Sequence, residues 1–146
     1  MEKTGSNGAV SNMNASINYY RNQVGAYQSQ NEMIIEKKSR ISAAKERVKN
    51  LIADCESVKE TIQSKTSSGE LYGEWNGRTL EGFDNAINYG VTEEYSSFIK
   101  QLEEILNMLC DEETRLENIY MENYGVIGKM LGIINNLKNE VEKSIN

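Results

Sequence analysis

A length of 146 residues and a net charge of −6 allow one domain and argue against nucleic acid as a partner, because phosphate contacts need a basic surface. The same balance disfavours docking on an anionic membrane surface. Proline is absent and hydrophobic residues make up 38% of the chain, which suits long amphipathic helices burying one stripe each better than a thick core.

Residues 1–15 are rich in Gly, Ser and Asn, show no periodicity and contain no apolar leader. They read as a disordered tail, so the protein is made in the cytosol, and any export uses a route without a cleaved signal. Ser16 is a plausible N-cap for a long helix over 16–66. Tyr20, Tyr27, Ile34, Ile41, Val48, Cys55 and Ile62 recur every seventh residue as one seam column. The second column is weaker. Val24 and Ile52 fit it, whereas Asn31, Lys38, Lys45 and Lys59 do not, and Ala44, Leu51 and Val58, one residue earlier, supply part of the deficit. At ~1.5 Å per residue this helix spans on the order of 75 Å.

Ser67, Ser68, Gly69, Gly73 and Gly77 mark a turn over 67–77, with Trp75, the only tryptophan, inside it. A short helix over 78–89 places Leu80, Phe83 and Ile87 at helical spacing and is expected to break or kink at Gly90. A second long helix runs over 92–145. One of its columns reads Tyr95, Leu102, Leu109, Leu116, Asn123, Met130, Leu137, and the other Ile99, Leu106, Glu113, Tyr120, Ile127, Ile134, Val141. Only Asn123 and Glu113 are polar, a strong seven-residue repeat. Gly125, Gly128 and Gly132 interrupt the helix at about 1 kcal/mol each relative to Ala, and Gly128 and Gly132 share a face that could admit a close partner. The most apolar stretch, Val126 to Ile134, is far shorter than the ~20 residues of a membrane span.

The expected fold is therefore all-α, an elongated antiparallel helical hairpin. Charge sets a register. The stretch from Glu36 to Lys49 carries six basic and two acidic residues, and that from Lys100 to Glu117 six acidic and two basic. Folding near Trp75 brings residue 45 opposite residue 105 and lays these stretches side by side. In that register Cys55 faces residue 95 rather than Cys110, which disfavours an internal disulfide. With no CxxC pair and no histidine, neither a metal nor another cofactor is expected.

No catalytic constellation is visible, and histidine, the commonest general base, is missing. The chain reads as a non-enzyme. Its chemistry is expected to lie in the half remote from the turn, where Tyr20, Tyr27, Ile34, Tyr120, Ile127, Met130, Ile134 and Leu137 provide more apolar and aromatic surface than a two-helix hairpin hides. A helical partner covering these residues is one reading, and packing among themselves within one hairpin is the other.

Trp75-Asn76-Gly77, set between antiparallel helices in an acidic chain without a leader, resembles the WxG (ESX-type) superfamily of type VII secretion. The wider pattern of Trp75, Gly77, Phe83, Tyr95 and Leu102 after a long first helix is more similar to the YwqH-like family, small helical proteins encoded beside LXG toxins in Gram-positive bacteria. The resemblance covers most of the chain after Ser16. It implies an accessory, chaperone-like protein that binds the helical N-terminal domain of an LXG toxin, with Trp75 and Gly77 as the turn motif of secretion. The superfamily's export signal, Tyr-x-x-x-Asp/Glu, is matched in letters by Tyr89 and Glu93, but only fourteen residues past Trp75 rather than near the C-terminus. The alternative function is a self-associating, secreted coiled coil of the WxG type, a homodimer without a toxin partner.

Overall fold

The computed structural model describes residues 2–68 and 78–145, with side chains over 7–66 and 81–145. Helix α1 runs without interruption from Glu2 to Ser68. It starts well ahead of Ser16, so residues 2–15 are helix and not the disordered tail expected from their composition. The repeat itself extends upstream: Val10 and Met13, both half-buried, stand seven residues before Ile17 and Tyr20. With no proline to stop it, the helix continues through this weak but correctly phased segment.

Helix α2 spans Arg78–Asn85, a π-helical turn spans Ala86–Val91, and α3 spans Thr92–Ile145. The interruption expected at Gly90 takes the form of this π turn, which joins α2 to α3 without a loop. The Thr92 N–H donates to the Ile87 carbonyl five residues back, the bond that defines a π turn. The side chain of Asn88 donates to Asp84 at 2.9 Å, the Thr92 hydroxyl to the Asn88 carbonyl, and the Ser96 hydroxyl to the Thr92 carbonyl at 3.0 Å. Among the described residues there is no strand, and the fold is the all-α helical hairpin expected from the repeats.

Both long helices follow a heptad. In α1, position a holds Ile17, Val24, Asn31, Lys38, Lys45, Ile52, Lys59 and Thr66, and position d holds the Tyr20 to Ile62 column. In α3, a holds the Ile99 to Val141 column and d the Tyr95 to Leu137 column. All fourteen of those α3 positions are buried or half-buried.

The chain divides into two units. The first comprises residues 1–39 and 113–146. Here the α1 and α3 segments run antiparallel, as the contacts of Asn31 with Tyr120 and Lys38 with Glu117 require. Ile17, Val24, Ile127 and Ile134 form its core, with Tyr20, Tyr27, Met130, Leu137 and Val141 packed around them. Each fully buried aliphatic side chain there contributes roughly 1.5–3 kcal/mol. The second unit comprises residues 40–112. Its buried positions are Thr66, Thr92, Ile99 and Leu102, while Ile41, Val48, Ile52, Cys55, Ile62, Tyr95, Leu106 and Leu109 are half-buried. Cys55 and Cys110 form no disulfide.

The weaker α1 column was misjudged in two respects. Leu51 and Val58, expected to replace the lysines, are exposed. The polar a positions point inward instead, with Lys38 bonded to Glu117 and Asn31 buried. The observed register also differs from the charge-based one. Asn31 pairs with Asn123, roughly one helical turn (~3.6 residues) beyond the expected residue 119. The basic and acidic stretches still meet, through Lys38 and Glu117.

Candidate functional site

The residues assigned from sequence to a partner are largely used inside the first unit. Ile34, Ile127 and Ile134 are buried, and Tyr20, Tyr27, Met130 and Leu137 pack on the Ile17–Val24–Ile127–Ile134 core. Tyr120 is half-buried, and its carbonyl accepts the Asn31 side-chain N–H at 3.4 Å. The reason is geometric. Two in-register antiparallel heptads close their a and d columns on each other, so the seam is the least available surface on the hairpin.

Sequence reasoning missed a buried polar layer across this seam. Asn123 Nδ2 donates to Asn31 Oδ1 at 3.0 Å and lies 3.2 Å from Gln30 Oε1. Asn31 and Asn123 are both buried, and no buried side-chain polar atom among the described residues lacks a partner. Such a layer adds little net stability but makes any slipped register leave an amide unsatisfied. The signal was present as two asparagines, each breaking an apolar column.

What remains for a partner lies outside the seam. In α3 the g column, which flanks d, is apolar over much of its length: Phe98 and Ile105 in the second unit, and Ile119, Val126 and Ile133 in the first. In an antiparallel pair the g flanks of both helices face the same side. In the first unit this produces a shallow groove lined by Met33, Ile34, Leu116 and Ile119 and edged by Gln30, Lys37 and Arg115. The opposite, e flank of α3 carries Tyr124, 64% exposed, and Leu131, 45% exposed, with Met121, 58% exposed, beside them. A Cβ added at Gly125, Gly128 or Gly132 would meet nothing within 4 Å, so this outer face is open. Between Ile119 and Ile134 α3 is thus apolar nearly all round, the pattern of a helix with more than one neighbour.

Charge is divided unevenly. The unit of residues 1–39 and 113–146 has eight basic and eight acidic residues, and the 40–112 unit has eight basic and fourteen acidic, so the whole negative excess belongs to the latter.

Trp75 and Gly77 lie outside the described residues. Tyr89, 67% exposed, stands in the π turn, and Glu93 is exposed in the first turn of α3. Among the described residues no cluster of acidic or cysteine side chains could hold a metal ion, and no helix is long and apolar enough to cross a membrane. Comparison with protein-family models, curated proteins and solved structures finds no match.

Proposed function

We propose that this chain is a non-enzymatic accessory protein of type VII secretion that binds the helical N-terminal domain of an LXG toxin and keeps it fit for export. The observation that carries the reading is the surplus apolar surface of α3: after α1 is seated, the g-flank groove of Met33, Leu116 and Ile119, continued by Val126 and Ile133, still lacks a cover. A third helix laid along it would complete a bundle, its apolar ridge in the groove and its rim carboxylates near Lys37 and Arg115. The Trp75-x-Gly77 tripeptide and the hairpin class support the secretion context by resemblance. Tyr89 and Glu93, both exposed, are accessible to a recognition partner.

Co-expression with the N-terminal domain of an LXG toxin encoded next to this gene tests the reading. The two are expected to co-purify, and Ile119→Glu is expected to abolish the complex while leaving the chain helical. Failure of the wild-type pair to co-purify overturns the proposal.

A further inference from the structure

In the unit of residues 40–112 the two flanks of the helix pair differ in kind. Glu56 and Lys59 line one crevice with Ser96, Lys100 and Glu103. This sets Val58 level with Phe98 and Leu51 level with Ile105. The e flank is polar on both helices, with Ser42, Lys49, Glu56 and Gln63 on α1 and Ser96 and Glu103 on α3. The g flank is apolar on both, with Leu51 and Val58 on α1 and Val91, Phe98 and Ile105 on α3. The π turn lengthens the second of these columns. It holds one residue more than an α turn, so Phe83, eight residues before Val91, stands in line with it. Ile87, eight residues before Tyr95, joins the d column by the same count and is half-buried, as Tyr95 is. Leu51, Val58, Phe83, Val91, Phe98 and Ile105 are all 39–48% exposed. Two helices that needed only each other would leave both flanks polar.

We propose that a basic amphipathic helix of another protein docks along this flank, its apolar ridge on Val58, Phe98 and Ile105 and its lysines or arginines beside Asp54 and Glu94. Charge selects this occupant. The exposed carboxylates of Asp54 and Glu94 rim the middle of the flank, one on each helix, while the cations Lys65 and Arg47 stand at its two ends. Glu94 also edges a shallow apolar depression lined by Val91, Tyr95 and Phe98. A cation held there meets a carboxylate and the face of an aromatic ring together. The unit carries eight basic and fourteen acidic residues, so its field draws in a cationic partner. The same field repels nucleic acid, an anionic membrane and the like-charged flank of a second copy. From Phe83 to Ile105 the column is about 33 Å long, enough to seat a helix of about 20 residues. The site shares no residue with the Met33–Ile119 groove and holds whether or not that groove takes a toxin domain.

Titration of two labelled synthetic helices with the full chain, followed by fluorescence anisotropy, tests the proposal. Both peptides carry the same leucine ridge over about 20 residues, flanked by lysines in one and by glutamates in the other. The lysine peptide is expected to bind, and the glutamate peptide to bind about 10-fold more weakly or worse. Phe98→Lys and Glu94→Lys are each expected to weaken the lysine peptide by about 10-fold, with helix content by circular dichroism unchanged. Ile119→Lys, in the first unit, is expected to leave that peptide bound as before while disrupting the toxin complex, so the two readings fail separately. No binding of the lysine peptide, equal binding of both peptides, indifference to Phe98→Lys or Glu94→Lys, or an equal loss from Ile119→Lys would each overturn it.

Discussion

In the unit of residues 1–39 and 113–146 the two helices share a seam but differ in everything outside it. The α1 segment turns out Arg21, Gln28 and Gln30 along with Tyr19, Met33 and Ile35, whereas the facing α3 segment turns out Met121, Tyr124, Leu131 and Ile133. One helix has an outer face that is mostly polar, with Tyr19, Met33 and Ile35 scattered over it. The other has a stripe so wide that α1 covers only part of it. The width of the apolar stripe, more than its strength, reports how many neighbours a helix has.

The sharpest break of this contrast compares two α3 positions three residues apart. Ile134→Ala, at a residue only 3% exposed, is expected to cost about 3 kcal/mol, while Leu131→Ala is expected to cost under about 0.5 kcal/mol. Urea denaturation followed by circular dichroism checks both, and equal losses would mean that α3 has no outer face. Next comes the polar layer. Asn123→Ala is expected to lower stability by about 2 kcal/mol by leaving the buried Asn31 Oδ1 without its donor. The double change Asn31→Leu with Asn123→Leu is expected to recover that loss and to admit a slipped register, visible as new spin-label distances between α1 and α3.

A smaller effect of opposite sign is expected at Gly128. Gly128→Ala should stabilise the monomer by up to about 1 kcal/mol through helix propensity, since the added methyl meets nothing. The least effect is expected at Lys59, a half-buried a position of α1. Lys59→Leu should raise stability by under about 1 kcal/mol, detectable as slower amide exchange in the 40–112 unit.

The hairpin and the whole α3 seam were legible because fourteen positions obey one period, and the structure encloses all of them. The second α1 column was not legible from residue type alone. Lys38 reads as a defect until Glu117 stands beside it, and Asn31 until Asn123 does, so inwardness there depends on a partner some eighty to ninety residues away in sequence. Lysine stems also cover apolar surface while the ammonium reaches outward, which hides a seam position behind a polar letter. The N-terminal helix was missed for the converse reason: Gly, Ser and Asn composition outweighed the two correctly phased residues Val10 and Met13. The residues that the sequence assigned to a partner lie in the strongest columns, and the structure packs most of them within the hairpin. Apolar residues in the strongest columns are the first to be covered from within, so the apolar surface left over lies in the second-best columns, here those of Ile119 and Tyr124.

The π turn at Ala86–Val91 has a consequence for how this hairpin could vary. It places one residue more in the turn than α geometry would, so α2 is rotated by about 100° relative to a straight extension of α3. Azimuth, in other words, is encoded as a residue count. Excising Gly90 would unwind that rotation and swing the exposed ring of Phe83 to another side of the axis, with no other residue altered. A single codon inserted or lost in this stretch would act as a phase shifter, re-aiming what α2 carries while leaving the heptads of both long helices intact.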